Sequence, residues 1–136
     1  MPMTAVAATE LLEEAGPICV EMLIADPGSR DGTLSGGDAL CLMGRAALAA
    51  AKRHTNGQVV MVRAEDVRFH QPLPVGHILE LTARVIHTDA HGMTILVDAM
   101  LQAQRGGRRT LALSGYFQMM AGANRAVMDF PHRSAI

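Results

Sequence analysis

Tryptophan is absent, tyrosine occurs once and phenylalanine three times, so aromatics make up 3% of the chain. That removes the ring platforms on which single-stranded nucleic acids stack. An excess of one charge is missing too: 12 Lys+Arg stand against 13 Asp+Glu, for a formal net charge of -1, too little for a field that gathers nucleic acid or an anionic membrane. No apolar run approaches the roughly 20 residues of a membrane span. The two cysteines, Cys19 and Cys41, each lie in an apolar stretch with no second Cys or His at metal-ligand spacing. That pattern predicts buried free thiols. Met1 to Gly16 carries Glu10, Glu13 and Glu14 and lacks the basic-then-apolar layout of a signal peptide, so the expected compartment is the reducing cytoplasm.

What is present suits one globular unit. With 136 residues, 49% of them apolar, a single domain over 1–136 buries about two thirds of its unfolded surface. Ten methionines supply adaptable core volume where aromatics are scarce.

Thr4 to Ala15 reads as a short helix that Gly16-Pro17 ends, and Ile18 to Ala25 as a strand. Asp26 to Ser35 holds Pro27, Gly28 and Gly32 among polar residues, a loop of the length that tends to carry function. From Gly36 to His54 the pattern becomes that of a long helix, with Leu40, Met43, Ala47 and Ala50 or Ala51 at helical spacing. Its many small residues suit tight packing on a sheet, while Gly44 in its middle costs roughly 1 kcal/mol relative to Ala and needs a reason.

After Asn56-Gly57, strands are predicted over Gln58 to Phe69, Ile78 to His87, Met93 to Gln104 and Arg109 to Met120, with a tail from Ala121 to Ile136 that has neither period. Leu79, Leu81, Ala83 and Val85 share one face, as do Met93 through Ala103 at alternate positions, and Leu111, Leu113, Phe117 and Met119. Glu65 and Asp66 fall on opposite faces of their strand. The order β-α-β-β-β-β leaves a five-stranded antiparallel sheet with one helix on one face and open edges. Pairing of edge strands between two copies closes them, so a homodimer is expected.

Gly32-Thr33-Leu34-Ser35-Gly36-Gly37, with Ala39-Leu40-Cys41-Leu42-Met43 and the Ala-rich run to Lys52-Arg53-His54, resembles the hotdog-fold acyl-CoA thioesterases. Val67 to His77, with Phe69, the Pro72-Leu73-Pro74 turn and Gly76, is similar to that family's next strand and turn. The match runs in order over about residues 18–120, the expected core. It implies an α+β hotdog fold, a five- to six-stranded antiparallel sheet wrapped around one long central helix, in dimers that can build tetramers or hexamers. It also implies an acyl-CoA bound at the dimer interface with its thioester carbonyl at the helix N-terminus, and no cofactor beyond the CoA of the substrate.

The residues themselves offer that site or a plainer one. Gly36 and Gly37 leave amides approachable at the positive end of the helix dipole, or they merely permit a tight entry into the helix. By the resemblance, relatives carry an acid where Gly44 stands, an Asn or Asp where Ser29 stands, and a Ser near the CoA where Thr94 stands. Asp31 is a candidate base or a turn carboxylate, and Asp38 a substrate-binding group or a charge complementing the helix dipole. His70 has the right chemistry for a base near pH 7 or is a solvated loop residue. Arg30, Lys52-Arg53 and Arg108-Arg109 are candidate cations for CoA phosphates. Two functions follow: hydrolysis of an acyl-CoA to a carboxylic acid and CoA, or an acyl-CoA binder that has lost the acid at Gly44.

Overall fold

The computed structural model describes residues 17–25, 32–55 and 57–121. The expected N-terminal helix, the C-terminal tail beyond 121, and Ser29, Arg30 and Asp31 lie outside the described residues. Strand β1 (Ile18–Leu23) precedes helix α1 (Gly36–Thr55), followed by β2 (Val59–Phe69), β3 (Ile78–Asp89), β4 (Gly92–Gln102) and β5 (Thr110–Ala121). They form one five-stranded sheet in the order β1-β3-β4-β5-β2, antiparallel throughout. β1 and β2 are therefore its edges.

Period-two alternation sorts the sheet into two faces. Leu79, Leu81 and Ala83 of β3, and Met93, Ile95, Val97, Ala99 and Leu101 of β4, are buried under α1 together with Leu113, Phe117 and Met119 of β5. The helix contributes Ala39, Met43, Ala46, Ala47, Ala50 and Ala51. Small side chains bring the helix axis close to the sheet, and Gly115 lets it closer still. A methyl group at Gly115 would lie 3.1 Å from Val67 Cγ2, 3.3 Å from Met43 Cε and 3.4 Å from Phe117 Cε1.

Several expectations are corrected. Leu111 is exposed, because a register shift between Ala99 and Met100 inserts an extra residue in β5 and buries Ala112 in its place. Leu40 is exposed, since the buried stripe of α1 runs through Ala39 and Met43 rather than through Leu40. β4 ends at Gln102, so Ala103 lies in the turn and is exposed. Cys19 and Cys41 are free thiols but both are exposed in the single chain, the first on edge strand β1 and the second on the outer side of α1.

The β3–β4 hairpin is closed by Asp89, whose Oδ1 accepts the His91 N–H at 2.8 Å and the Gly92 N–H at 3.0 Å. Chiefly the His91 bond, with lesser help from Gly92 and His87, holds this exposed carboxyl below its usual range against an opposing desolvation second only to the His91 bond. With its folded pKa depressed, its contribution is present above the ordinary carboxylate value and fades as acid titrates through the lowered one.

Gly92 (φ 156°) lies so near β5 that an added Cβ would overlap Met119 O. We expect Gly92→Ala to destabilise by more than about 1 kcal/mol and Phe117→Ala by about 3–5 kcal/mol, read from urea midpoints at unchanged slope.

Candidate functional site

The start of α1 is fixed by backbone bonds to a distant turn. Leu34 N donates to Leu73 O at 2.9 Å, Val75 N to Gly32 O at 2.8 Å, and Thr33 and Pro74 form an isolated bridge. On its other side the same turn is tied to β1's end, with Ile24 N on His77 O at 2.9 Å and Gly76 N on Ile24 O at 2.8 Å. Prolines 72 and 74 lack a donor N–H and have a fixed φ, so this turn is stiff before anything packs on it. Gly32 (φ 71°) and Gly76 (φ 94°) take the left-handed corners it needs.

Ser35 is the helix N-cap. Its Oγ accepts the Asp38 N–H at 3.1 Å, and its carbonyl accepts the Ala39 N–H at 3.0 Å. The cap uses the third amide of the helix and leaves the first two, Gly36 and Gly37, without a partner among the described residues. Both glycines are exposed. Among the described residues a methyl group on Gly37 would meet nothing within 4 Å, whereas one on Gly36 would stand 3.7 Å from the Phe69 ring. Two N–H groups without a partner among the described residues thus lie at the positive end of a 20-residue helix, with an aromatic ring beside Gly36.

Helical spacing continues that opening into a cleft. Gly37, Leu40, Gly44 and Leu48 lie on the flank of α1 nearest β2, and a Cβ on Gly44 would come 3.2 Å from Met61 Cε. On the facing strand, Met61 and Phe69 are on the helix side, because they pair with the buried Met119 and Leu113. Exposures of 39% for Leu40, 39% for Met61 and 50% for Phe69 make this an open apolar groove in the single chain. The space that a side chain at Gly44 would take is occupied by the Met61 methyl. No charged side chain projects from these four helix positions or from Met61 and Phe69.

The structure brings together some of the candidate residues and separates others. Gly36, Gly37 and Asp38 share the first turn, Asp38 being rotated about 100° round the helix from Gly37. His70 follows Phe69 but points to the opposite face of the sheet, where its Nε2 is 3.1 Å from Ser114 Oγ. Thr94 is at the other end of the sheet on that same outer face, its Oγ1 donating to Gln118 Oε1 at 3.4 Å. Arg109 is engaged by Glu80 at 3.1 Å, while Lys52 and Arg53 sit in the last turn of α1, about 25 Å from its start. Glu65 and Asp66 are separated by a bulge rather than simple alternation: Asp66 has φ 52° and pairs with Arg68 at 2.8 Å, and Glu65 accepts the Gln118 Nε2–H at 3.1 Å. Sequence reading missed Met61 and Leu40 as cleft walls, because the bulges in β2 break the alternation that would have placed Met61.

Among the described residues no group of three or more His, Cys, Asp or Glu could hold a metal ion, and no helix is long and apolar enough to cross a membrane.

Comparison with known proteins agrees with this geometry. The family model for the thioesterase superfamily matches residues 31–107. An uncharacterized acyl-CoA thioester hydrolase of Zymomonas mobilis is 30% identical over 114 residues, covering 83% of this chain and 76% of that protein. Among solved structures, an acyl-CoA hydrolase of Agrobacterium tumefaciens superposes with a TM-score of 0.72 at 26% identity over 77% of this chain; the chain spans only 42% of that protein's length. A hexameric thioesterase of Yersinia pestis gives a TM-score of 0.70 at 26% identity, covering 78% of this chain and 87% of that one.

Gly37→Ala separates the two roles of the glycine. With open space for the methyl, the variant should be as stable or gain about 0.4–1 kcal/mol in thermal or urea unfolding, while affinity for an acyl thioester falls because the amide is screened. Loss of stability together with retained binding would assign Gly37 to chain entry alone.

Proposed function

The chain belongs to the thioesterase superfamily and has its hotdog fold, and on that premise we propose that it hydrolyses an acyl-CoA to a carboxylic acid and CoA. The observation that carries this is the pair of unspent amides, Gly36 and Gly37, at the open end of an apolar cleft.

The acyl chain lies along Leu40, Gly44 and Met61, and its thioester carbonyl oxygen meets the Gly37 N–H. Water adds to the carbonyl carbon, and the negative charge that develops on the oxygen is stabilised by amides already oriented toward it. Collapse of the tetrahedral intermediate breaks the C–S bond, and the sulfur leaves with the proton that water gave up. A removed oxyanion donor costs about 10²- to 10³-fold in rate, so these amides are a substantial part of catalysis.

Activating the water needs a base. His70 faces Ser114 on the far side of the sheet, and Gly44 supplies no side chain where the family resemblance implies an acid. Asp31, next in sequence to Gly32, is the base in this reading, with Ser29 as a further catalytic candidate and Arg30 as a substrate-binding one. The reaction consumes only water, needs no cofactor beyond the CoA of the substrate, and takes place in the cytoplasm in a homodimer closed along the sheet edge, without nucleic acid or membrane as a partner.

CoA release from a panel of acyl-CoAs tests the reading. We expect slow but saturable turnover, reduced about 10²- to 10⁴-fold in Asp31→Ala, and a gain in kcat for Gly44→Asp, which needs only the flexible Met61 methyl to move. Tight binding in calorimetry without any release of CoA would instead identify a binder; absence of both would remove acyl-CoA as the ligand.

A further inference from the structure

The space between α1 and β2 is bounded at both ends. Phe69 stands at the helix start, its ring 3.7 Å from where a Gly36 Cβ would lie, and Met61 stands farther along, its Cε 3.2 Å from where a Gly44 Cβ would lie. Between them the walls are small. Gly37 bears no side chain, and Ala64, which faces the helix because it pairs with the buried Phe117, bears only a methyl group. The Met61 methyl therefore sits in the notch that the missing Gly44 side chain leaves, and it closes the groove there. Beyond it the same two elements continue with Leu48 and Val59, both half-buried against the core. None of these side chains carries a hydrogen-bonding group, so an occupant has to be unsubstituted hydrocarbon.

We propose that Met61 is the end stop of the acyl groove and that the preferred substrates are straight-chain acyl-CoAs of about six to eight carbons. The proposal rests on the thioesterase reading, which puts the thioester carbonyl at the Gly37 amide. Gly37 and Gly44 are seven residues apart (44 less 37), about 10 Å along the helix. An extended chain gains about 1.2 Å per single bond, a third of what the three backbone bonds of one residue span. Two methyl groups meeting end to end need about 4 Å between them, and less of the groove when they meet obliquely. The space then holds about five to seven bonds beyond the carbonyl carbon, which is six to eight carbons.

A thioether suits such a stop. Met61 is unbranched and has three rotatable bonds, so a longer chain has to lift its methyl out of the Gly44 notch. A shorter chain leaves unfilled apolar wall at Leu40 and Ala64, and forgoes the burial those walls offer. Both departures weaken binding, and the optimum between them is set by where the methyl rests.

CoA release from saturated acyl-CoAs, acetyl to hexadecanoyl, tests the assignment beside calorimetry with the matching S-alkyl-CoA thioethers, which cannot be hydrolysed. In the native protein both kcat/KM and affinity should peak at hexanoyl to octanoyl length. Met61→Ala opens the groove as far as Leu48, about 6 Å more. Each further buried methylene is worth about fourfold, so the dodecanoyl-to-octanoyl ratio should rise at least about tenfold in both readouts. Met61→Leu keeps an apolar side chain of similar size at the stop and should hold the native ratio to within about threefold. Gly44→Asp fills the notch from the helix side with a carboxylate leaning toward the helix start, so the kcat gain expected of it is confined to acyl groups shorter than hexanoyl. Circular dichroism and urea midpoints check that each variant is folded. An unchanged chain-length profile in folded Met61→Ala, or a native maximum at acetyl or hexadecanoyl, overturns the end stop while CoA release leaves the thioesterase reading standing. No binding of any alkyl-CoA overturns it as well. A binding maximum that moves with Met61 in a protein that never releases CoA keeps the end stop and fails the thioesterase reading alone.

Discussion

Everything at the site depends on how the first turn of α1 is held. Its amides are useful only if they are presented at a fixed angle without being consumed, and two separate devices achieve this. The backbone ladder between Gly32–Leu34 and Leu73–Val75 sets where the helix begins, and the Ser35 hydroxyl takes the third N–H while sparing the first two. A cap that reached back to Gly37 would stabilise the helix equally well and close the site. Under the proposed function, stability and catalysis compete for the same few donors, and here the cap falls one residue beyond the glycine pair.

Closeness is the second theme. A helix whose buried stripe is five alanines and one methionine can approach a sheet more nearly than one lined with leucine, and Gly115 deepens the contact. That helix contributes little apolar area per residue, so the core relies on the larger side chains of the strands, Phe117, Leu79, Ile95, Leu113 and Met119. Its flank near β2 is only partly filled: Gly37 bears no side chain, the flexible Met61 reaches over Gly44, and planar Phe69 stands beside Gly36. The cleft is what remains when a tightly seated helix meets a sheet wider than itself.

Much of this was legible in the residues alone. Clean alternation in β3 and β4 named their buried faces correctly, the Gly36–Thr55 helix differed from expectation by one residue at its end, and the Gly36-Gly37 opening was marked by composition. Legibility failed where an extra residue enters a strand. Bulges in β2 and β5 invert the parity beyond them, so Leu111 turns outward and Glu65 and Asp66 serve different neighbours, which no period-two reading can foresee. His70 shows a different limit. Its type suited a base, but sidedness depends on Phe69 facing the helix, and that follows only from the pairing of Phe69 with Leu113.

The two irregularities in β2 have an implication beyond side-chain placement. A long, flat, half-apolar margin is an invitation to indefinite lateral growth, the geometry from which fibrils extend. Bulges at two places in β2 raise its local twist and interrupt its run, so this margin offers no long regular stretch along which strands could be added without end. The irregular strand in this sense limits polymerisation along its own side of the sheet.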